Sequence, residues 1–127
     1  MKKGLDRILL TPHELEIMKI VWDLGTASVK NVHAILVKRK RIAYTTVLTI
    51  MSILESKGVL IHTKSGRAFI YRPILSRKRA MHNQVTDIIE RFFDGNPQKL
   101  IEAVKEDRLF EFTLREEALR EKHEVSL

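Results

Sequence analysis

Apolar residues in the first part of the chain recur at the three- and four-residue spacing that is typical of amphipathic α-helices. The start of the first helix is marked by Thr11-Pro12-His13-Glu14, which combines a capping threonine, a proline at the first helical position and a glutamate that can close a capping box. Gly25 marks its end. The apolar stripe between these signals, in which we expect the tryptophan to be a core residue, consists of Leu15, Met18, Val21 and Trp22.

Two more stripes predict a second and a third helix. Ser28 can cap the second helix, which is expected to end in the basic run Lys38-Arg39-Lys40-Arg41. Its apolar side holds Val29, Val32, His33, Leu36 and Val37. The third helix is predicted from about Tyr44 to Ser56, because its apolar positions follow one helical face. These positions are Val47, Ile50, Met51 and Leu54.

The three helices are followed by two short runs of β-prone residues. They cover residues 59–63 and 68–72 and enclose the turn Lys64-Ser65-Gly66-Arg67, so they predict a hairpin with a basic tip. Three helices and a hairpin predict a winged helix-turn-helix, which we assign to a DNA-binding domain over residues 1–74.

The remaining residues, 75–127, predict a helical segment. Ser76 can cap a helix that runs to Phe93, a short helix follows Asn96-Pro97, and a last one opens at Thr113. About 50 residues in three helices cannot close a dry core alone, so we expect a dimerisation domain. The expected fold is mostly α with a small β-hairpin: a winged helix-turn-helix plus a C-terminal helical dimerisation segment. The predicted dimer interface consists of Met81, Val85, Ile88, Ile89, Phe92, Phe93, Leu100, Ile101 and Val104.

Charge separates the two predicted domains. The 127 residues carry a net charge of +7, but residues 1–79 hold 16 lysines and arginines against 5 acidic residues, whereas residues 80–127 hold 7 against 11. We therefore expect the first half to bind a polyanion such as nucleic acid. The absence of cysteine excludes disulfides, thiolate metal sites and thiol nucleophiles. The apolar run Ile8 to Leu10 is too short for a signal peptide or a membrane span, so we expect a cytoplasmic protein with no membrane partner.

The outward face of the third helix indicates how nucleic acid would be contacted. Its polar side chains carry hydroxyls rather than charges, which suits hydrogen bonds to base edges and contact of threonine methyls with thymine. Arg41, Lys64 and Arg67 flank this face and are suited to backbone phosphates. We predict that a recognition helix over about 43–56 and a basic wing bind a double-stranded DNA operator. On the helix, the predicted contacts are Tyr44, Thr45, Thr46, Thr49 and Ser52.

Other interpretations of these residues stay open at this point. The helix face could be an ordinary solvated surface, and the wing cations could be loose surface charges. A winged-helix domain could instead be a protein–protein interaction module, which requires an exposed apolar patch on the third helix. An enzyme is not expected, because the five histidines lack metal-ligand spacing and the five glycines form no phosphate-binding loop. No cofactor and no metal site are predicted.

Four segments of the first half carry a more specific pattern. They are Leu10-Thr11-Pro12-His13-Glu14-Leu15-Glu16-Ile17-Met18 with Val21-Trp22, then Ala43-Tyr44-Thr45-Thr46-Val47-Leu48-Thr49, Glu55-Ser56-Lys57-Gly58, and Gly66-Arg67-Ala68-Phe69-Ile70-Tyr71-Arg72-Pro73. With these segments, residues 8–73 resemble the penicillinase-repressor family of BlaI, MecI and CopY-type regulators, and residues 76–122 resemble its helical tail more loosely. The resemblance implies a homodimer that binds a palindromic operator and represses transcription.

The resemblance also implies that repression is relieved by an inducing protease that cuts the tail, or by a metal. The paired-cysteine metal site of the copper-responsive members has no counterpart here, because the chain lacks cysteine. The position of the Asn-Phe bond that is cut in the β-lactam-responsive members is occupied by Glu102-Ala103. The sequence therefore leaves open the inducer, the operator, the target genes and the choice between repressor and activator.

Overall fold

The computed structural model describes residues 5–125, apart from the side chains at positions 109, 111, 112, 114 and 123–125. Residues 1–4 and 126–127, which begin and end the two predicted domains, lie outside the described residues. The elements confirm the predicted fold class of helices with one small hairpin. In chain order they are a 3-10 helix (Leu5–Arg7), α1 (Pro12–Leu24), α2 (Val29–Leu36), α3 (Tyr44–Ser56), β1 (Leu60–Ser65), β2 (Ala68–Pro73), α4 (Arg77–Phe93), α5 (Pro97–Glu106) and α6 (Arg108–Val125).

The start and end of α1 follow from its sequence signals. The Thr11 hydroxyl accepts a hydrogen bond from the Glu14 backbone N–H at 3.2 Å, and the Glu14 carboxylate accepts one from the Thr11 N–H at 2.9 Å. The predicted capping box is thus present. Gly25 ends the helix with a φ of +83°, a conformation that side chains with a Cβ rarely adopt.

The first unit has one apolar core, to which all three of its N-terminal helices contribute. Trp22 was expected inside this core but lies at its edge, half-buried, because its indole N–H needs a partner. That partner is the Leu75 carbonyl, at 2.9 Å from Nε1. The largest fully buried side chains are Ile17, Met18, Leu36, Met51, Leu54, Leu60, Leu75, Val21, Val32, Val47 and Val59.

The hairpin is longer than predicted. β1 and β2 pair antiparallel from Leu60 opposite Pro73 to Ser65 opposite Ala68, so that only Gly66 and Arg67 form the connection. Gly66 has a φ of +62°, as two-residue hairpin loops require. The prediction that Lys64 lies in the turn is therefore wrong: it lies in β1, opposite Phe69.

The basic run between α2 and α3 is not helical. α2 ends at Leu36, and residues 37–41 form the turn that leads to α3. The prediction that the second helix ends in this run is therefore wrong by one turn. As a consequence, the four cations belong to the turn of the helix-turn-helix.

By its contacts the chain divides into two units, Met1–Gln84 and Val85–Leu127. The first unit reaches beyond the predicted boundary at residue 74, because the first turns of α4 pack on the segment before α1. Ala80 and Asn83 are buried, and the Gln84 side chain accepts a hydrogen bond from the Leu10 N–H at 2.9 Å. The assignment of DNA binding to residues 1–74 and of dimerisation to residues 75–127 stays a prediction.

The second unit consists of the end of α4 with α5 and α6. Asn96 caps α5 through the Gln98 N–H at 3.0 Å. The last helix was predicted to open at Thr113 but begins at Arg108, because the Asp107 carboxylate already caps it through the Phe110 N–H at 3.3 Å. None of the described side chains from residue 85 onward is buried. Across the described residues we find no helix with the length and apolar character to cross a membrane.

Candidate nucleic-acid interface

The predicted recognition helix has one buried and one exposed face. Val47, Met51 and Leu54 are fully buried, and they hold α3 on the core of the first unit. The exposed face is formed by hydroxyl side chains together with the apolar Leu48 and Ile53. It includes every predicted contact on this helix: Tyr44, Thr45, Thr46, Thr49 and Ser52.

The N-terminus of α3 is held by His33, which its position in the sequence placed only on the apolar side of the second helix. Ala43, the N-cap, provides no side-chain hydrogen bond. Instead, His33 of α2 is half-buried, and its Nε2 lies 3.0 Å from the carbonyl of Ile42. Its ring also meets the Tyr44 ring edge-on, with the centroids 5.7 Å apart. His33 therefore fixes the entry into the predicted recognition helix, a role that only the tertiary contact between α2 and α3 reveals.

Thr49 has part of its hydrogen-bonding capacity committed within α3. Its hydroxyl donates to the carbonyl of Thr45, 2.9 Å away. In this arrangement Thr49 offers a ligand the acceptor lone pairs of its hydroxyl oxygen and its methyl group, because the hydroxyl proton is already bonded to the Thr45 carbonyl.

The basic turn before α3 is only partly free for a ligand. Lys40 lies 2.5 Å from Glu16 of α1, so its charge is paired within the protein. Lys38, Arg39 and Arg41 are exposed. Arg41, the predicted phosphate contact in this turn, thus lies at the N-terminal end of the exposed face of α3.

The hairpin places two more predicted contacts at its end. Arg67 lies at the tip, and Lys64 is opposite Phe69 in the second cross-strand pair from the tip. The side chains of Arg67, Lys64 and Phe69 are all exposed. These cations belong to a two-stranded antiparallel ribbon with a two-residue connection. The structure therefore brings a hydroxyl-rich helix face, a basic turn and a basic wing into one unit.

A groove runs between α3 and the hairpin. On the hairpin side it is lined by His62, Phe69 and Tyr71, and on the helix side by Leu48, Ser52, Glu55 and Ser56. Burial first, and then the nearby Glu55 and Tyr44, raise the pKa of the Tyr71 hydroxyl above its ordinary range. Glu55 and His62 were not predicted as site residues, because their contact depends on the register of the hairpin. A two-residue turn at Gly66-Arg67 would have given that register from sequence.

The nine predicted dimer-interface residues all retain solvent exposure within the single chain. Phe92 is 71% exposed and Met81 is 59% exposed. Phe93, Ile89 and Leu100 are half-buried. Among the described residues there is no group of three or more histidines and carboxylates that could hold a metal ion.

Comparison with known proteins identifies the family. The sequence pattern of the family described as Penicillinase repressor matches residues 10–122. The chain belongs to this family. Penicillinase repressors are transcriptional repressors and not enzymes, which confirms the prediction against an enzyme. Membership also supports the predicted function class, DNA-binding repression of transcription.

The alignments with individual relatives cover about two thirds of the chain. The chain is 28% identical to the penicillinase repressor of Bacillus licheniformis over 88 residues, which is 69% of each protein. It is 26% identical over 87 residues to the transcriptional regulator BlaI of Mycobacterium tuberculosis, covering 68% of this chain and 63% of the relative.

Two solved structures each match a little more than half of this penicillinase-repressor family member. The solution structure of the DNA-binding domain of the repressor BlaI is 31% identical, with a TM-score of 0.51 over 55% of this chain and 85% of that chain. The solution structure of monomeric Bacillus licheniformis BlaI in complex with the blaP half-operator is 30% identical, with a TM-score of 0.51 over 57% of this chain and 89% of that one. The winged-helix prediction is confirmed by these neighbours.

Proposed function

We propose that the chain represses transcription as a homodimer that binds a palindromic operator. Each subunit places α3 in the major groove of one half-site and its wing against the flanking backbone. The observation that carries this proposal is the exposed hydroxyl face of α3, which shares one unit with exposed cations: Arg41 in the turn before α3, and Lys64 and Arg67 in the hairpin. The BlaI structure with a half-operator supports it, since that relative has a similar winged-helix unit.

Dimerisation through the second unit is part of the proposal. A single copy leaves large apolar side chains in contact with water, and Phe92 is the clearest case at 71% exposed. Burying a side chain of this size stabilises an assembly by about 1.5–3 kcal/mol. A second copy would provide that burial and would place two DNA-binding units on one operator.

Induction by proteolysis and a cytoplasmic location complete the proposal. The Glu102-Ala103 bond, which matches the cleavage position of the β-lactam-responsive members, lies within α5. Because Glu102-Ala103 is not an Asn-Phe pair, the proposal does not place cleavage at this bond, and an inducing protease would cut another bond of the tail. The relatives in Bacillus licheniformis and Mycobacterium tuberculosis are bacterial proteins, and a bacterial repressor reaches its DNA in the cytoplasm.

The alternative is a winged-helix module that holds a protein partner. Leu48 and Ile53 favour it, because both are exposed apolar side chains on α3. Ser52 lies one helical turn after Leu48, however, and Thr49 one turn before Ile53, so each apolar side chain has a hydroxyl side chain as its neighbour on the exposed face. The face is therefore a mixed surface rather than the continuous apolar patch of a protein-docking site.

Footprinting of the region upstream of the chain's own gene, followed by a mobility-shift assay on the protected segment, tests the proposed function. We expect a protected palindrome and a single shifted species that contains two subunits. A folded protein that protects no DNA at low salt would overturn the proposal, and binding of one subunit without a second would overturn its dimeric form.

A further inference from the structure

A carboxylate lies in the groove between α3 and the hairpin, inside the most basic part of the chain. Glu55 lines this groove together with Ser52, a predicted DNA contact, and with His62 of β1. A nearby polyanion is repelled by a carboxylate whose charge is not compensated. A cation next to Glu55 would therefore reduce the repulsion between this carboxylate and DNA bound beside the groove.

His62 is in direct contact with this carboxylate. Its Nδ1 lies 2.5 Å from Oε1 and 2.9 Å from Oε2 of Glu55, and both side chains are one-third exposed. An ionised carboxylate only accepts hydrogen bonds, so Nδ1 carries the proton and donates it. In the neutral ring, Nε2 is then a bare acceptor and cannot bind a phosphate oxygen. The imidazolium, by contrast, has a second N–H at Nε2 that can donate to a phosphate while Nδ1 still bonds Glu55.

The His62 ring has charged and aromatic neighbours on three elements. From α3, the Glu55 carboxylate contacts the ring directly, and Lys64 lies two residues along on the same face of β1. From β2, the rings of Phe69 and Tyr71 lie 4.4 Å and 5.4 Å from His62 between centroids. Tyr71 is uncharged near neutral pH, because burial, Glu55 and Tyr44 all raise its pKa. Glu55 is thus the one acidic partner that the structure shows on this ring among the described residues.

We propose that His62 binds a backbone phosphate of DNA as an imidazolium held by Glu55, so that each subunit takes up one proton when it binds. The proton comes from solvent and joins Nε2. Protonation changes the charge of the Glu55–His62 pair from −1 to 0, and the approaching phosphates favour that change. The inference rests on the proposed DNA-binding function and adds to it a phosphate contact and a pH dependence. Affinity for DNA increases as the pH falls, by at most about tenfold per pH unit for each bound subunit.

The affinity of the full chain for a short random-sequence DNA duplex tests this inference. A random duplex is suitable because a phosphate contact does not depend on sequence. Binding is measured by fluorescence anisotropy at constant low salt between about pH 8 and about pH 5, where histidine changes charge. Calorimetry in two buffers of different ionisation enthalpy counts the protons taken up. We expect tighter binding at lower pH, with a contribution of about one proton per subunit that is lost in His62→Gln.

Two variants separate this role from a structural one. His13→Gln, at an exposed position on α1, is the matched control and keeps the wild-type pH dependence. In Glu55→Gln the imidazolium loses its carboxylate, so the rise in affinity begins at a lower pH, whereas affinity near pH 8 does not fall. A pair that only stabilises the fold would instead lower affinity at every pH when Glu55 is replaced. Circular dichroism confirms that each variant is folded.

The outcomes for the inference and for the proposed function are distinct. If His62→Gln binds DNA with the full wild-type pH dependence and proton uptake, the proton goes to another group and the inference is wrong. If the pH dependence is lost in His13→Gln as well, histidine substitution acts indirectly and the inference is also wrong. Absence of DNA binding by the folded wild-type chain at every pH would overturn the proposed function itself.

Discussion

Nζ of Lys57, the residue that follows α3, lies 2.8 Å from Oε1 of Glu14 in the first turn of α1. The same ammonium donates to the carbonyl of Leu9, also at 2.8 Å. The Glu14 side chain is only 7% exposed, so its charge depends on this partner. The contact connects the C-terminal end of the predicted recognition helix to the capping box that starts α1.

Removal of Lys57 should destabilise the first unit. Lys57→Met leaves the Glu14 carboxylate buried without its cation, and loss of one partner of a fully buried pair costs about 3–5 kcal/mol. We expect about 1–3 kcal/mol here, because about a third of the Lys57 side chain is exposed to screening solvent. Denaturant unfolding measures the change. Lys40→Met is the matched control: its partner Glu16 is one-third exposed, so the loss should stay below about 1 kcal/mol. Equal effects of the two substitutions would contradict the special role of Lys57.

Acid should weaken the fold through Glu14. Burial opposes its ionisation, but the hydrogen bonds from Lys57 and Thr11 outweigh burial and hold the pKa of Glu14 below its ordinary value. A carboxyl group with a lowered pKa in the folded state contributes stability above its unfolded pKa of about 4.3, and this contribution is lost as the pH falls through the folded value. Glu14→Gln should therefore lose stability near neutral pH and show a smaller further loss in acid. Thermal unfolding between neutral pH and about pH 3 measures both, and an unchanged acid dependence in Glu14→Gln would rule out this source.

Binding to DNA should be strongly salt-dependent. If a dimer makes about 6–10 phosphate contacts, its affinity falls by about 10³ to 10⁵ between about 50 and 200 mM salt. Arg67→Ala at the wing tip should weaken binding to all sequences alike and reduce the slope of log affinity against log salt by about one. Lys40→Ala is the control, because the ammonium of Lys40 is paired with Glu16 rather than free for phosphate. If Lys40→Ala reduced the slope of log affinity against log salt and Arg67→Ala did not, the wing tip would not be a phosphate contact.

Sequence patterns predicted the helices of the first unit because their signals are local. The capping box at Thr11 and the stop at Gly25 involve residues within one turn, and the structure has both. The role of His33 could not be predicted, because its bond to the Ile42 carbonyl depends on how α2 packs against α3. The position of Trp22 at the core edge likewise depends on the Leu75 carbonyl, 53 residues away in the chain.

The sequence predicted only part of the candidate site, because some of its features are local and others depend on tertiary contacts. The exposed threonines of α3 follow from helical periodicity, so their shared face could be predicted from their spacing. The contact between Glu55 and His62 depends on the hairpin register. The prediction assigned Lys64 and Ser65 to the turn and so missed two cross-strand pairs of the hairpin. The start of α6 was missed because Asp107 was not considered as a cap.

Specific recognition should depend on the threonine face of α3. Thr45→Ala and Thr49→Ala should each cost about 1–3 kcal/mol on the operator and leave binding to random DNA nearly unchanged, because base contacts carry the specificity. Competition binding with both duplexes gives the two free energies. Thr26→Ala, at an exposed threonine in the loop between α1 and α2, should change neither. Equal losses on operator and random DNA would mean that these threonines hold phosphates or the fold instead of bases.

Dimerisation should depend on the apolar side chains of the second unit and should control operator affinity. Ile89→Asp combined with Phe92→Asp places two charges among side chains that a second copy would bury, so we expect a monomer in sedimentation equilibrium. Circular dichroism and thermal unfolding should still show a folded first unit. Gln98→Asp, at an exposed polar position of α5, is the control and should stay dimeric.

The monomer should bind the operator about 10² to 10⁴ times more weakly than the dimer, because the second half-site contact is no longer intramolecular. Its affinity for an isolated half-site should match that of the wild-type chain, since the residues of α3 and the wing are untouched. A double variant that remains dimeric would show that Ile89 and Phe92 have another partner. A monomer that holds the full operator with undiminished affinity would show that repression does not require two linked DNA-binding units.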